Sequence, residues 1–114
     1  MFHFDDDLEK YMVEIDGVAF ACEEPREDYE EAARKLARLY GEKQQALAEF
    51  LLPELQEIFE GVTAANLFQR LGKPTIDLSA FQIQYFDQTL DKGHIIQCEY
   101  DEDFEGFSCF SLDG

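Results

Sequence analysis

The sequence predicts an α+β protein: a single antiparallel sheet, made of an N-terminal hairpin and a C-terminal three-stranded meander, with two to three helices packed on one face. Apolar and polar residues alternate near both ends of the chain, whereas apolar residues recur at helical spacing through its middle. Strands that are segregated from helices are typical of α+β folds rather than of doubly wound sheets. No linker or repeat divides the sequence, so residues 1–114 are predicted to form one domain.

The N-terminal hairpin is predicted from two β-prone runs, residues 11–15 and 18–22, which are joined by Asp16-Gly17. An Asp-Gly pair favours a two-residue type I′ turn, because that turn requires a positive φ at both positions. The Glu-Glu-Pro sequence that follows is expected to end the hairpin.

The first helix is predicted to begin after Asp28. This residue is a candidate N-cap, and Glu31 stands three residues further on, which is the spacing of a capping box. Apolar residues then recur at helical spacing until Gly41, which is expected to end the helix.

Two further helices are predicted before the C-terminal strands. The second has an apolar stripe over residues 47–59, and Pro53 within it should either kink the helix or begin a new one. Gly61 is the expected C-cap of this helix. The third is predicted to run from a Thr63 cap to Gly72.

The C-terminal meander is predicted from three runs with a period of two, at residues 81–85, 96–100 and 107–112. Residues 90–93 and 101–106 have the composition of turns between them. With helices on one face of the sheet, the other face would be solvated or would bind a partner.

The chain is strongly acidic, with 26 acidic residues, 9 basic residues and a net charge of −17. Residues 1–31 carry 12 acids and 2 bases, residues 99–114 carry 6 acids and no base, and residues 32–73 are nearly neutral. Such a field repels nucleic acid and anionic membranes and attracts cationic surfaces. We therefore expect a basic protein partner and neither a nucleic-acid nor a membrane partner.

The cysteine content indicates a reducing compartment. Cys22, Cys98 and Cys109 are an odd number without a CxxC pair, which argues against a disulfide framework and a zinc site. All three lie in strand-like runs and are predicted to be buried thiols. The sequence has neither signal-peptide features nor an apolar run of membrane-spanning length, so a cytoplasmic location is expected.

Two acidic runs are candidate metal sites. Residues 101–106 place acids at positions one, three and five and Gly at position six, like the opening of a calcium loop, but position twelve is Leu112 rather than Glu. A solvated hairpin turn is therefore favoured there. Residues 5–7, with His3 nearby, are interpreted as a charged N-terminal arm.

A catalytic pair of Cys and His finds little support in the sequence. His94 and Cys98 would lie about 13 Å apart along one regular strand, which is beyond hydrogen-bond reach. Cys109, on the neighbouring strand, is not excluded as a partner of His94. The motifs of serine hydrolases, phosphate-binding loops and zinc proteases are absent from the sequence, so we predict no enzyme activity, no catalytic residue and no cofactor.

The remaining candidate is a partner-binding surface. If the hairpin and the meander join in one sheet, their acids would form a patch, with Tyr11, Tyr85 and Tyr100 as aromatic anchors. The alternative is that the acids only keep the protein soluble and that the tyrosines belong to the core. The residues predicted to bind a partner are Glu14, Asp16, Glu99, Tyr100, Asp101, Glu102, Asp103 and Glu105.

The order of elements resembles a known group of proteins. An acidic hairpin over residues 11–22, a Glu-rich helical middle and a meander that contains Cys98-Glu-Tyr-Asp-Glu-Asp and Phe110-Ser-Leu-Asp-Gly114 are similar to those of small, acidic, uncharacterised bacterial α+β proteins. Some members of this group resemble immunity proteins, which neutralise a toxin by covering its active site. The resemblance implies a binding role and no catalytic residues.

The leading hypothesis from the sequence is a non-catalytic, immunity-type inhibitor that masks a basic partner such as a nuclease toxin. Electrostatic steering would bring the two proteins together. A homo-oligomeric structural protein is the first alternative. A metal-binding protein or enzyme built on His94, Cys109 and the acids of residues 101–105 is the second.

Overall fold

The computed structural model describes residues 1–113 and shows an α+β fold with one open seven-stranded sheet and three α-helices. Gly114, the last residue of the C-terminal segment quoted above, lies outside the described residues. The strands are β1 (His3–Asp5), β2 (Lys10–Ile15), β3 (Val18–Cys22), β4 (Thr75–Asp77), β5 (Gln82–Tyr85), β6 (Ile95–Tyr100) and β7 (Phe107–Asp113). The helices are α1 (Tyr29–Glu42), α2 (Gln44–Ile58) and α3 (Leu67–Leu71).

The strands lie side by side in chain order, from β1 to β7. The predicted hairpin corresponds to β2 and β3 and the predicted meander to β5, β6 and β7, whereas β1 and β4 were not predicted. All neighbours pair antiparallel except β3 and β4, which are parallel. The prediction of a purely antiparallel sheet is therefore wrong. The cause is the three-helix crossover, which returns the chain to the end of the sheet where β3 began.

The turn of the hairpin has the predicted geometry. Asp16 and Gly17 have φ values of 51° and 81°, so both central residues adopt the left-handed backbone that a type I′ turn requires. Ile15 and Val18 are paired on either side of the turn, which sets the register of the whole hairpin.

One face of the sheet is apolar and packs against the helices. Phe20, Ile76, Ile83 and Cys98 pair in one row across β3 to β6, and all four are buried. The hydroxyl groups of Tyr40 and Tyr85 are 2.7 Å apart within this core, and burial raises the pKa of Tyr40 to about 12. The helices contribute buried side chains to the same cluster, including Leu36, Leu47, Leu51, Leu55 and Leu71.

The opposite face of the sheet carries small and polar side chains. Ala21, Asp77, Gln82 and Glu99 form a single row across β3 to β6. Alternation along each strand sends these residues to the side away from the core, because successive side chains point to opposite faces.

The first helix begins and ends differently from the prediction. Asp28 stands at the N-cap position, but its backbone is already helical and its side chain makes no capping hydrogen bond, so the predicted capping box with Glu31 is wrong. Gly41 does not end the helix, since α1 continues to Glu42. Only Lys43 then separates α1 from α2.

The second helix runs through Pro53 as one element, from Gln44 to Ile58. Its C-cap is Phe59, so the prediction that Gly61 caps this helix is wrong. Before α3, the Thr63 hydroxyl accepts a hydrogen bond from the Asn66 amide, while the Asn66 side chain accepts one from the Thr63 amide. Gly72 is the C-cap of α3, as predicted.

Candidate functional site

The topology of the sheet gathers four connections at one of its ends. These are the turn from β1 to β2, the segment that leaves β3, the turn from β4 to β5 and the loop from β6 to β7. They meet because β1, β3, β4 and β6 all run in the same direction, as the pairing of their neighbours shows. We call this end of the sheet the acidic end. It comprises residues 5–9, 23–31, 78–81 and 101–105.

The acidic end concentrates negative charge. Its segments contain 14 of the 26 acidic residues of the chain and one basic residue, Arg26. Two neighbouring lysines are already paired with acids: Lys35 Nζ lies 2.9 Å from Asp103 Oδ2, and Lys10 forms an ion pair with Asp77. Arg34 also pairs with Glu30, at 2.8 Å. Most of the carboxylates at this end are exposed to solvent.

The structure divides the predicted acidic patch. Glu99, Asp101, Glu102, Asp103 and Glu105 lie at or beside the acidic end, as does the buried Tyr100. Strands β2 and β6 run in opposite directions, so Asp16, at the end of β2, lies at the other end of the sheet.

Glu14 also lies apart from the acidic end. Three strands separate β2 from β6, a span of about 19 Å at the usual strand spacing. The carboxylate of Glu14 is already paired with Lys73, at 3.1 Å.

The tyrosines predicted as anchors are largely inaccessible. Tyr85 and Tyr100 are buried in the core, and Tyr11 is half-buried with its ring against Phe4. The exposed aromatic side chain at the acidic end is instead Phe81, with 56% of its surface accessible. The sequence analysis placed Phe81 at the start of a regular strand, where nothing in the pattern marks it as exposed.

A cleft of about 920 Å³ opens at the acidic end between α1 and the loops of the sheet. Its floor consists of the buried side chains of Leu36, Leu78 and Tyr100. Its acidic lining residues come from two of these segments: Glu23, Glu24, Asp28, Glu31, Glu102 and Asp103. Of these six, only Glu102 and Asp103 were predicted to bind a partner. The excess of acids over residues 1–31 was the sequence signal that could have identified the other four.

Phe81 is held at the edge of this cleft in a strained conformation. Its φ of 56° lies in the left-handed region, which costs a bulky residue about 1–2 kcal/mol. Two contacts fix it there: its carbonyl accepts a hydrogen bond from the Tyr100 amide at 2.9 Å, and its ring packs edge-on against Tyr100 with centroids 5.7 Å apart. Tyr100 packs in turn against Phe104, at 4.9 Å.

The turn that carries Phe81 is built on Asp77, whose side chain is only 1% exposed. One carboxylate oxygen accepts hydrogen bonds from the amides of Ser79 and Ala80, both at 2.9 Å. The other oxygen accepts a hydrogen bond from Lys10. A buried carboxylate with three donors is well stabilised, so this pair ties β2 to β4 beneath the acidic end.

Two ionisable groups below the cleft remain in their neutral forms. Burial, with a smaller contribution from the Asp77 carboxylate, raises the pKa of Tyr100. Burial raises the pKa of Cys98 to about 12, with a smaller contribution from Glu99. A thiol with such a pKa is a poor nucleophile at neutral pH.

The loop of residues 101–106 closes on itself. The Asp101 amide donates to the Gly106 carbonyl at 2.9 Å, and the Asp103 carboxylate is held by Lys35. Within residues 1–113, no three His, Cys, Asp or Glu side chains converge in a way that could hold a metal ion.

The histidine and cysteine candidates are separated by their surroundings. His94 lies in the loop before β6, with Nδ1 2.6 Å from Asp91 Oδ2, while Cys98 faces the core. Cys22 is buried, but Cys109 is exposed, so the prediction of three buried thiols is wrong for Cys109. A bulge in β7 is the reason: Cys109 has a φ of 55°, and the register shifts there between Gln97 and Glu99.

None of the three helices in the described part of the chain is both long and apolar enough to cross a membrane. Comparisons with protein-family models, with curated proteins and with solved structures returned no match.

Proposed function

We propose that this protein is a non-catalytic, cytoplasmic binding protein whose acidic end binds and masks a basic region of a protein partner. The observation that carries this proposal is the convergence of 14 acidic residues from three segments at one end of the sheet, where six of them line a cleft that Phe81 also lines. The mode of action resembles that of an immunity protein, in which the inhibitor covers the active site of a toxin.

The chemistry of the acidic end fits a basic partner. A concentrated negative field speeds the encounter with a cationic surface, and an exposed aromatic side chain supplies affinity after contact. If the partner is a nuclease, the carboxylates take the place of the phosphates that its basic active site normally binds. We expect the affinity to fall steeply with salt, because exposed charges are screened beyond about 10 Å at 0.1 M ionic strength.

The experiment that tests this proposal is an affinity capture from lysate of the source organism with three immobilised baits. One bait is the natural protein, one carries Glu24→Lys and Glu102→Lys in the cleft, and the matched control carries Glu54→Lys and Glu57→Lys on α2. Both variants change the net charge equally, and all four positions are exposed. Bound proteins are eluted by salt and identified by mass spectrometry.

We expect the natural bait and the α2 control to retain one basic protein in stoichiometric amount at low salt. The cleft variant should not retain it. Capture of no basic protein by the natural bait would contradict the proposal. Equal capture by the cleft variant and the α2 control would also contradict it, since generic charge attraction would then explain the binding.

Self-association is a second candidate function, favoured by an apolar group near edge strand β1. Phe4 is 54% exposed and Leu8 is 40% exposed. The acids at residues 5–7 stand between them and repel a second copy. Salt separates the two functions, because screening should promote self-association and weaken the binding of a basic partner. Sedimentation velocity at about 20 mM and about 500 mM NaCl measures the effect of salt on self-association.

A further inference from the structure

Resting on the proposed function, we propose that the cleft binds an arginine side chain of the partner, with the guanidinium group against the ring of Phe81 and paired with the carboxylates of the lining. Three observations support it: an open cleft of suitable volume, an exposed aromatic ring in its lining, and an arginine of the lining that already lies over an aromatic ring.

The size of the cleft fits a side chain together with the backbone that carries it. A volume of about 920 Å³ lies near the upper limit of typical small-ligand sites, which are about 300–1,000 Å³. The floor of Leu36 and Leu78 is apolar and can cover the methylene groups of a long side chain. Glu31 and Glu102 lie in the lining and offer oxygens to the charged group.

Arg26 shows that the cleft accommodates a guanidinium group. Its Cζ atom lies 5.9 Å from the centroid of the Tyr29 ring, and both residues line the cleft. A guanidinium group is planar, so it stacks on an aromatic face and pairs with a carboxylate through two parallel hydrogen bonds. An ammonium group has the charge but not the plane, so the same site should prefer arginine to lysine.

The ring of Phe81 is already fixed in place before any partner binds. The edge-on contact with Tyr100 and the two hydrogen bonds that backbone amides donate to the Asp77 carboxylate hold the turn that carries it. Little conformational entropy is then lost when a partner packs against the ring. Arg26, in contrast, is exposed and carries the same charge as the incoming side chain, so it should compete with it.

The experiment is an NMR titration of the ¹⁵N-labelled protein at low salt with N-acetyl-arginine amide and, separately, N-acetyl-lysine amide. We expect arginine to shift the amide signals of residues 29–31, 79–81 and 100–103 and to bind about 2- to 5-fold more tightly than lysine. Phe81→Ala should abolish that preference. Equal affinity for the two probes, or shifts spread evenly over acidic residues outside the cleft, would overturn the proposal.

Arg26→Gln supplies a test with the opposite sign. Removal of the competing guanidinium should strengthen the binding of the arginine probe by about 2- to 5-fold. Arg38→Gln on α1 is the matched control, because Arg38 is also exposed and the charge change is the same, but it does not line the cleft. An equal gain in both variants would show a general charge effect and overturn the role of the cleft.

The capture experiment distinguishes this inference from the proposed function. A Phe81→Ala bait that retains the basic partner as well as the natural bait would overturn the arginine site and leave the proposed function standing. Circular dichroism and urea unfolding verify that the variant is folded. If Phe81→Ala does not fold, Glu31→Gln at an exposed helical position provides the same test. Absence of any basic partner would overturn the proposed function, while the arginine titration still decides the chemistry of the cleft.

Discussion

The two ends of the sheet differ in how many of their charged side chains are paired. At the end away from the cleft, which holds residues 16–17, 72–74 and 86–94, several charged groups have partners. Glu14 pairs with Lys73, and the Asp91 carboxylate accepts hydrogen bonds from both Gln88 and His94. At the acidic end, 14 acids share segments with a single arginine.

Polar side chains form different hydrogen-bond networks at the two ends of the sheet. In the loop before β6, the buried side chain of Gln88 bonds to the carbonyls of Asp91 and His94 and to the amides of Leu90 and Asp91, so polar groups there close the loop. At the acidic end, the buried Asp77 carboxylate accepts two amide hydrogen bonds from the turn, while most of the exposed carboxylates face solvent. The proposed binding therefore depends on residues other than those that stabilise this end of the fold.

The largest effect on stability is expected from Asp77→Asn, because this change removes a buried ion pair while retaining an oxygen for the turn. We expect a loss of about 2–3 kcal/mol in the free energy of unfolding, less than for a fully buried pair because Lys10 is 31% exposed. Glu14→Gln is the matched control: its pair with Lys73 is exposed and should contribute about 0–1 kcal/mol. Urea unfolding measures both, and equal losses would contradict the contrast.

The next effect is expected from Gln88→Ala at the opposite end. The change leaves the carbonyls and amides of the loop before β6 without their buried partner, which should cost about 1–3 kcal/mol. Gln82→Ala is a control, because the described bond of Gln82 joins it to another half-buried side chain, Gln84. Urea unfolding and amide hydrogen exchange over residues 88–95 provide the measurement; unchanged exchange in Gln88→Ala would contradict a role in closing the loop.

A smaller effect is expected at Phe81, where binding and stability should oppose each other. Phe81→Gly and Phe81→Ala both remove the ring, but only glycine relieves the left-handed backbone. We expect the glycine variant to be about 1 kcal/mol more stable than the alanine variant, while both lose the preference for arginine. Thermal unfolding measures the difference, and a more stable alanine variant would show that φ at this turn is not strained.

Charge reversal should produce a still smaller change in stability. Glu24→Lys with Glu102→Lys relieves repulsion at the acidic end and should stabilise the fold by about 0.5 kcal/mol more than Glu54→Lys with Glu57→Lys. Added salt should reduce this difference, because it screens the repulsion in the natural protein. Thermal unfolding of the natural protein and of both double variants at low and high salt is the measurement. A difference that persists at high salt would indicate a packing effect instead.

The pKa of the Asp91 carboxyl tests whether its hydrogen bonds at the opposite end of the sheet form in solution. Hydrogen bonding from Gln88, and to a lesser extent from His94, lowers the pKa of the Asp91 carboxyl. A folded pKa below the unfolded value means that the pairing stabilises the fold above about pH 4 and that this contribution is lost as pH falls through the lowered pKa. Carboxyl NMR titration should show the pKa of Asp91 rising in Gln88→Ala. An unchanged value would exclude Gln88 as the main cause.

Several local elements follow from the sequence for direct physical reasons. The Asp16-Gly17 turn was predictable because few residue pairs tolerate two positive φ values, and β5 and β6 were predictable because they alternate apolar and polar side chains. The helices were recognisable from their apolar stripes. Their exact ends were not, since Asp28 lacks its cap and Gly41 lies within a helix.

The strands β1 and β4 were not predicted, because each has only three residues and is too short to show an alternation of apolar and polar side chains. The parallel pairing of β3 and β4 depends on where a crossover of three helices returns the chain, and no local pattern encodes that return. The excess of acidic residues near both chain termini was visible in the sequence. Its convergence around one cleft was decided by the tertiary structure, because only the strand directions bring residues 23–31 and 101–105 to the same end and send Asp16 to the other.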